Sequence, residues 1–254
     1  MNLIEHELEM SKINMFDTVV HKGKELVQLT PRNVALVEAI IRNDSAYIKT
    51  SDVTAKPTTK RDGSISYFGS TAFWMKELQK VLIDGVKSEY EFGAIIQGAV
   101  EAVDRENSTH LNADGVGRKE IIARIESIDR DELIKCLQCP EHGNLKLLNE
   151  IARKTSAAVK ARTNVSFASK FCHYACFNMF EGTAYQDNYS IYDGILKASL
   201  PLYLDYFGID TKYNLNCYGE YRDAIDTIRL KLDKPISRNG FDHLIWYYHK
   251  GRMN

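Results

Sequence analysis

The chain has 254 residues, a net charge of −1, 44% apolar residues and 26% charged residues, which is enough to bury a real core as one large domain or two small lobes. No run of about eighteen apolar residues occurs, and the acidic N-terminus Met1-Asn-Leu-Ile-Glu-His-Glu-Leu-Glu lacks the basic-then-apolar order of a signal peptide. These features argue against a membrane partner and for a cytoplasmic, nucleoid-associated protein, and the near-zero charge means that a nucleic-acid binder must gather its positive residues into a patch.

In chain order, Val19-Val20-His-Lys-Gly23-Lys-Glu-Leu26-Val27-Gln-Leu29 reads as a short β-hairpin with Gly23 in the turn. Thr30-Pro31 starts a helix, a hydroxyl N-cap followed by proline at the first helical position. Its buried stripe is Val34, Leu36, Val37, Ile40 and Ile41. Residues 45–71 read as a polar loop, on Thr50, Ser51, Thr54, Pro57, Thr58 and Thr59. A turn at Arg61-Asp62-Gly63 precedes Ile65-Ser-Tyr67-Phe68. A loop of this length either reaches a ligand or is a solvated connection.

From Ser70 the pattern turns helical. Helices are expected near 71–86 and 90–104, the second carrying Phe92, Ile95, Ile96, Ala99 and Val103. After a polar break from Arg105 to Gly117, further helices are expected at 118–127, 130–138 and 143–160, with Asp129 as an N-cap. No internal repeat occurs. The fold class predicted is mainly α with a small N-terminal β element.

Five cysteines stand at 136, 139, 172, 176 and 217. Cys136-Leu-Gln-Cys139-Pro-Glu-His142 has the spacing of half a zinc site, to which Cys172, His173 or Cys176 could add a ligand. The same residues serve equally as core thiols and caps, and no metal or cofactor is assigned. Gly-rich phosphate loops and the common hydrolase and metalloprotease motifs are absent.

The chemistry-bearing stretch begins at residue 151. Residues 151–180 contain Arg153, Lys154, Lys160, Arg162 and Lys170 and no aspartate or glutamate. The segment is either a phosphate-facing surface or a solvated basic face whose acidic partners lie elsewhere. A helix is predicted over Ser166–Phe180, with Phe167, Phe171, Tyr174 and Asn178 on one face and Lys170, His173 and Phe177 on the adjacent stripe. The Lys170 amine and the His173 imidazole can then point toward a common pocket. Residues 181–188 break that helix, and Tyr189, Ile191 and Tyr192 form an extended approach to Asp193. The helical pattern from Gly194 makes Asp193 an N-cap. A carboxylate fixed there can stabilise an oxocarbenium-like sugar cation, and a lysine amine nearby can attack C1′. The other reading of Asp193 is a cap and nothing more. The aromatic run Trp246-Tyr-Tyr-His249 is mainly a docking helix, with Trp246 free to stack on nucleic acid beside Lys250 and Arg252.

Two segments carry a family resemblance. Phe167-Ala-Ser-Lys170-Phe171 and Tyr189-Ser-Ile-Tyr192-Asp193 resemble the helix–loop–aspartate core of the helix-hairpin-helix DNA glycosylases with a Gly/Pro-rich loop and aspartate. They are most like a bacterial subgroup with an 8-oxoguanine-glycosylase-like fold. Tyr221-Arg-Asp-Ala-Ile-Asp226 and Phe241-Asp-His-Leu-Ile-Trp246-Tyr-Tyr-His-Lys250-Gly251 also look like that subgroup, so the match covers about residues 150–252. The resemblance implies a single glycosylase-like domain over 1–254, with a β/loop region at 1–70, a helical lobe at 71–149 and a catalytic lobe at 150–254. It implies a DNA N-glycosylase that flips out a modified base from duplex DNA, with or without an associated lyase step.

By the resemblance, Lys170 stands at the Schiff-base position, Asp193 is the catalytic aspartate, and Tyr174 lines the base pocket; His173, Tyr192 and Trp246 are further candidate substrate-binding residues, named on their own residue types and positions. Tyr174 is also readable as plain core packing. Lys154, Lys160, Arg162, Lys250 and Arg252 would face the DNA backbone. The chain departs from the family in two places. Arg162-Thr-Asn-Val-Ser166 replaces the usual Leu-Pro-Gly-Val-Gly hairpin, and the interval from Lys170 to Asp193 is longer, with the extra length fitting in 181–188. The alternatives are a non-catalytic DNA- or modified-base-recognition module, for example in phage defence, and an interaction domain with a structural zinc near Cys136.

Overall fold

The computed structural model describes residues 15–43, 56–59, 63, 65–107, 109, 111, 117–138, 145–155 and 163–250. The chain packs as two compact units, one drawn from residues 1–44 and 193–254, the other from 45–192. The boundary falls between Tyr192 and Asp193. As predicted, the protein is mainly helical, with a small β content in two hairpins.

In the first unit, β1 (Thr18–His21) pairs antiparallel with β2 (Lys24–Val27), Thr18 opposite Val27. The turn is Lys22-Gly23, with φ of 48° and 76°. Positive φ at both positions matches the right-handed twist of the strands, and Gly23 adopts it without a Cβ clash. Helix α1 (Pro31–Asn43) follows, and the Thr30 hydroxyl accepts from the Asn33 amide at 3.2 Å. Of the predicted stripe only Val37 is fully buried, while Val34, Leu36, Ile40 and Ile41 are half-buried. Asn33, which the hydrophobic pattern passes over, is fully buried. Its side chain accepts from the Asp17 amide (3.1 Å) and donates to the Asp17 and Gln28 carbonyls (2.9 and 2.8 Å), so the hairpin base is stitched to the helix by a satisfied polar group.

The unit is completed by α8 (Gly194–Tyr206), α9 (Tyr218–Arg229) and α10 (Arg238–His249), with α10 packed on α1, α8 and β2. A Cβ at Gly240 would lie 2.7 Å from Val34 Cγ1, so glycine permits the close approach of α10 to α1. Leu26, Val27, Val37, Leu200, Tyr203, Ile225, Phe241, Leu244 and Ile245 supply the core.

In the second unit, β3 (Lys56–Thr59) pairs antiparallel with β4 (Ile65–Phe68). This corrects the expectation of an irregular polar loop: the Thr/Pro-rich segment is one arm of a hairpin. Helices α2 (Thr71–Leu82), α3 (Phe92–Asn107), α4 (Gly117–Glu126), α5 (Arg130–Leu137), α6 (Leu145–Ala152) and α7 (Val165–Met179) follow, then a 3₁₀ turn at Ala184–Asp187. Ser70 and Asp129 cap α2 and α5 by accepting main-chain N–H groups.

The helix expected over 143–160 ends at Ala152. The Asn164 amide donates to the Ala152 carbonyl at 2.9 Å, closing the chain back to the start of α7. Helix α7 packs on α2, α3, α5 and α6. It therefore buries most of its circumference rather than one stripe, and even Ser169, Lys170 and His173 are covered.

The segment after α3 is held by Asp104. Its Oδ1 accepts from the Thr109 hydroxyl (2.6 Å) and the Leu111 amide (3.0 Å), and its Oδ2 accepts from Arg118. Burial alone would raise the carboxyl's pKa, but these hydrogen bonds and the Arg118 charge outweigh it and hold it below the usual carboxylate range. A depressed folded-state pKa stabilises the fold above the unfolded carboxyl pKa, and that contribution is lost as pH falls through the folded value. Asp104→Asn should therefore cost about 2 kcal/mol at neutral pH. In urea titrations the gap between variant and wild type should close on acidification.

Candidate active site

Lys170 lies in mid-α7 and is 8% exposed. Its Nζ donates to the Asn107 main-chain carbonyl at 3.3 Å. One turn on, the Tyr174 hydroxyl donates to Asn107 Oδ1 at 3.0 Å, while Asn107 Nδ2 donates to the Val103 carbonyl at 3.1 Å. The C-terminal residue of α3 thus collects both the amine and the phenol. Nothing local in the sequence points to Asn107, because its partners are more than sixty residues away.

His173 lies on the same helix and is buried in the core. Its ring is 1% exposed, Nδ1 lies 2.8 Å from the Tyr189 carbonyl, and the ring stacks on Phe177 at 6.0 Å. A donor is required at Nδ1 to satisfy that carbonyl. His173 thereby pins the segment leading to Asp193.

Several other bonds hold that segment. The Asn188 amide group donates to the Leu137 carbonyl (2.6 Å), the Tyr189 hydroxyl to the Cys136 carbonyl (3.1 Å), and the Tyr192 amide to Ser169 Oγ (2.9 Å). Ser169, the neighbour of Lys170, so fixes Tyr192, the neighbour of Asp193. Ser169→Ala leaves the Tyr192 amide without this acceptor and should cost about 1–3 kcal/mol. Hydrogen exchange at the Tyr192 amide should accelerate with it.

Asp193 is the N-cap of α8, as expected, in extended conformation (φ −128°, ψ 150°), with Oδ1 accepting from the Ile195 amide at 2.7 Å. The Tyr221 hydroxyl of α9 is hydrogen-bonded to the Asp193 backbone. Burial pushes that phenol's pKa well up, reinforced by the charges of Asp242 and Asp193, so Tyr221 is a neutral hydroxyl. Tyr221 falls within a segment that carries the family resemblance, but its bond to Asp193 is a tertiary feature.

The remaining predicted residues divide between the two units. In the 45–192 unit, Tyr192 is half-buried and Lys154 is exposed, its main-chain carbonyl accepting from Arg124. In the other unit, Trp246 is half-buried and the exposed Lys250 sits over its ring, Nζ 4.2 Å from the centroid. That cation–π pair covers one face of the Trp246 ring. Lys160, Arg162 and Arg252 lie outside the described residues, as do Cys139 and His142.

Cys136, Cys172 and Cys176 are buried, and burial raises the Cys172 and Cys176 thiols far above their usual range, which keeps both protonated. Among the described residues no group of three or more His, Cys, Asp and Glu side chains is arranged to hold a metal ion, and no helix is long and apolar enough to cross a membrane. Compared with known families, curated proteins and solved structures, the chain matches no family model, no curated protein and no solved structure.

Proposed function

We propose that the protein is a DNA N-glycosylase that excises a flipped, modified base from duplex DNA. One observation carries the reading. Asp193 is fixed as the N-cap of α8 by the Ile195 amide, and Lys170 is buried in mid-α7 with its amine on the Asn107 carbonyl. Two side chains with complementary chemistry are thus each held on a rigid element.

In the reaction, the bond between the base nitrogen and C1′ breaks with its electron pair leaving on the base. Asp193 stabilises the positive charge that develops on the sugar. The Lys170 amine or a water molecule then bonds to C1′, and the proton that the attacking group loses balances the one taken up by the departing base nitrogen. After attack by lysine, the nitrogen lone pair expels O4′ as the C1′–O4′ bond breaks and O4′ takes up a proton, which opens the sugar to a Schiff base and permits strand cleavage. Attack by water ends in an abasic site.

A second reading is binding of a modified base without cleavage. It is favoured by the contact of the Lys170 amine with the Asn107 carbonyl and by the internal bond of the Tyr174 hydroxyl. Borohydride trapping on a panel of duplexes with modified bases tests the role of Lys170. A trapped covalent adduct that disappears in Lys170→Gln supports the amine as nucleophile. Base release retained in Lys170→Gln assigns the attack to water. Tight binding with neither adduct nor release supports the recognition module.

A further inference from the structure

Lys170 is a buried lysine in the middle of a helix, and burying an amine requires acceptors held in place. The end of α3 supplies one. The last carbonyls of a helix lack donors within the helix. Lys170 Nζ donates to the carbonyl of Asn107, the final residue of α3, at 3.3 Å. The partial negative charge of a helix C-terminus adds to that bond.

Both ends of the Asn107 carboxamide are engaged as well. Its Nδ2 donates back to the Val103 carbonyl at 3.1 Å, and its Oδ1 accepts from the Tyr174 hydroxyl at 3.0 Å. Lys170 and Tyr174 are one turn apart on α7, so a single residue of α3 meets two functional groups of α7 through separate atoms. With its side chain held at two points, Asn107 presents its carbonyl to the amine in one orientation.

The last turn of α3 is a firm base for this arrangement. The Asp104 carboxylate accepts from Thr109, Leu111 and Arg118, and its carbonyl accepts from the Thr109 amide at 3.3 Å. The Glu106 carboxylate accepts from the Thr71 amide at 3.1 and 3.2 Å. Both acids of this turn are therefore committed to main-chain and side-chain donors elsewhere, and what α3 offers the amine is a neutral carbonyl. A neutral acceptor orients a lysine with less force than a carboxylate would, so the amine can be given up to a reaction partner.

We propose that Asn107 is the positioning residue of the Lys170 amine, holding it by the main-chain carbonyl and linking it through the carboxamide to Tyr174. The hold itself does not depend on what Lys170 does, whereas its use in bond cleavage rests on the glycosylase reading.

The test uses the full chain, treated with formaldehyde and cyanoborohydride over a pH series. Dimethylation of Lys170 is read by mass spectrometry against the exposed Lys154 of the same molecule. Tyr174→Phe removes only the hydroxyl on Asn107 and should speed labelling of Lys170 about three- to tenfold, the worth of one hydrogen bond. Asn107→Asp keeps an oxygen for Tyr174 and adds a negative charge to the residue that holds the amine. Labelling at fixed pH should then slow about tenfold, with the pH profile displaced about one pH unit upward.

A side chain that only supports the fold would loosen the site in both variants and speed labelling in both. Thermal melting checks that each variant folds. Wild-type labelling in both variants overturns the proposal, and so does faster labelling in Asn107→Asp. An unchanged Tyr174→Phe removes the link to Tyr174.

Borohydride trapping on the modified duplexes, run in parallel, separates the two levels of the account. Asn107→Asp should slow adduct formation at saturating duplex while the affinity for duplex stays at the wild-type value. Adduct formation with labelling indifferent to both variants removes the positioning role and leaves the glycosylase reading standing. Labelling that responds as expected, with neither adduct nor base release from any duplex, does the reverse.

Discussion

Gly98→Val should prevent the 45–192 unit from folding, and Gly98→Ala should cost about 1–3 kcal/mol. A Cβ at position 98 would lie 2.2 Å from Trp74 Cε2, 2.4 Å from Cδ2 and 2.6 Å from Cζ2. The indole has little room to retreat. Trp74 is fully buried, a Cβ at Gly69 would stand only 2.7 Å from its Nε1, and Phe73 and Tyr90 flank it at centroid distances of 5.0 and 5.1 Å. Trp74→Ala, which empties the same space, should cost about 3–5 kcal/mol. Urea unfolding followed by circular dichroism measures both. A wild-type midpoint for Gly98→Val would show that α2 and α3 do not meet as described.

Asp193→Asn should slow base release by about 10²–10³-fold while leaving stability nearly unchanged. Asparagine caps a helix about as well as aspartate, so the bond to the Ile195 amide survives. Only the negative charge is lost, and removal of one preorganised electrostatic contact has an effect of that size on rate. The substitution thus separates the structural role of the residue from its proposed chemical one. Single-turnover release and thermal melting on the same preparation provide the two readouts. A full rate in Asp193→Asn reduces the residue to a helix cap.

What could be read from the sequence was local chemistry. Gly23 in a valine-rich stretch, Thr30-Pro31, Asp129 and Asp193 each satisfy a main-chain requirement within a few residues of themselves, and the structure bears out each of them. The second hairpin was hidden because Lys56-Pro-Thr-Thr59 is polar and has no alternation, and its pairing with Ile65–Phe68 is what makes it a strand. The end of α6 at Ala152 carries no glycine or proline, and its signal is the tertiary bond from the Asn164 amide.

The candidate site divides along the same line. Lys170 and Asp193 could be singled out from residue types and a resemblance. The bonds around them could not: Asn107 under Lys170 and Tyr174, Ser169 on Tyr192, and Tyr221 on the Asp193 backbone join helices distant in sequence. His173 illustrates the limit of helical spacing. The spacing placed it beside Lys170 on a common stripe, but α7 is covered on nearly every side, so the burial of both and the bond of His173 to the Tyr189 carbonyl depend on neighbours that the spacing does not name.

The central claim is cleavage of an N-glycosidic bond, and mass-spectrometric detection of free base is its most direct measurement. Wild-type protein is incubated with a panel of duplexes, each carrying one modified base, alongside Asp193→Asn. The account predicts release of free base and an abasic or nicked strand from at least one duplex, with release lost in the variant. Tight binding to a modified duplex with the base still attached in every case would contradict it.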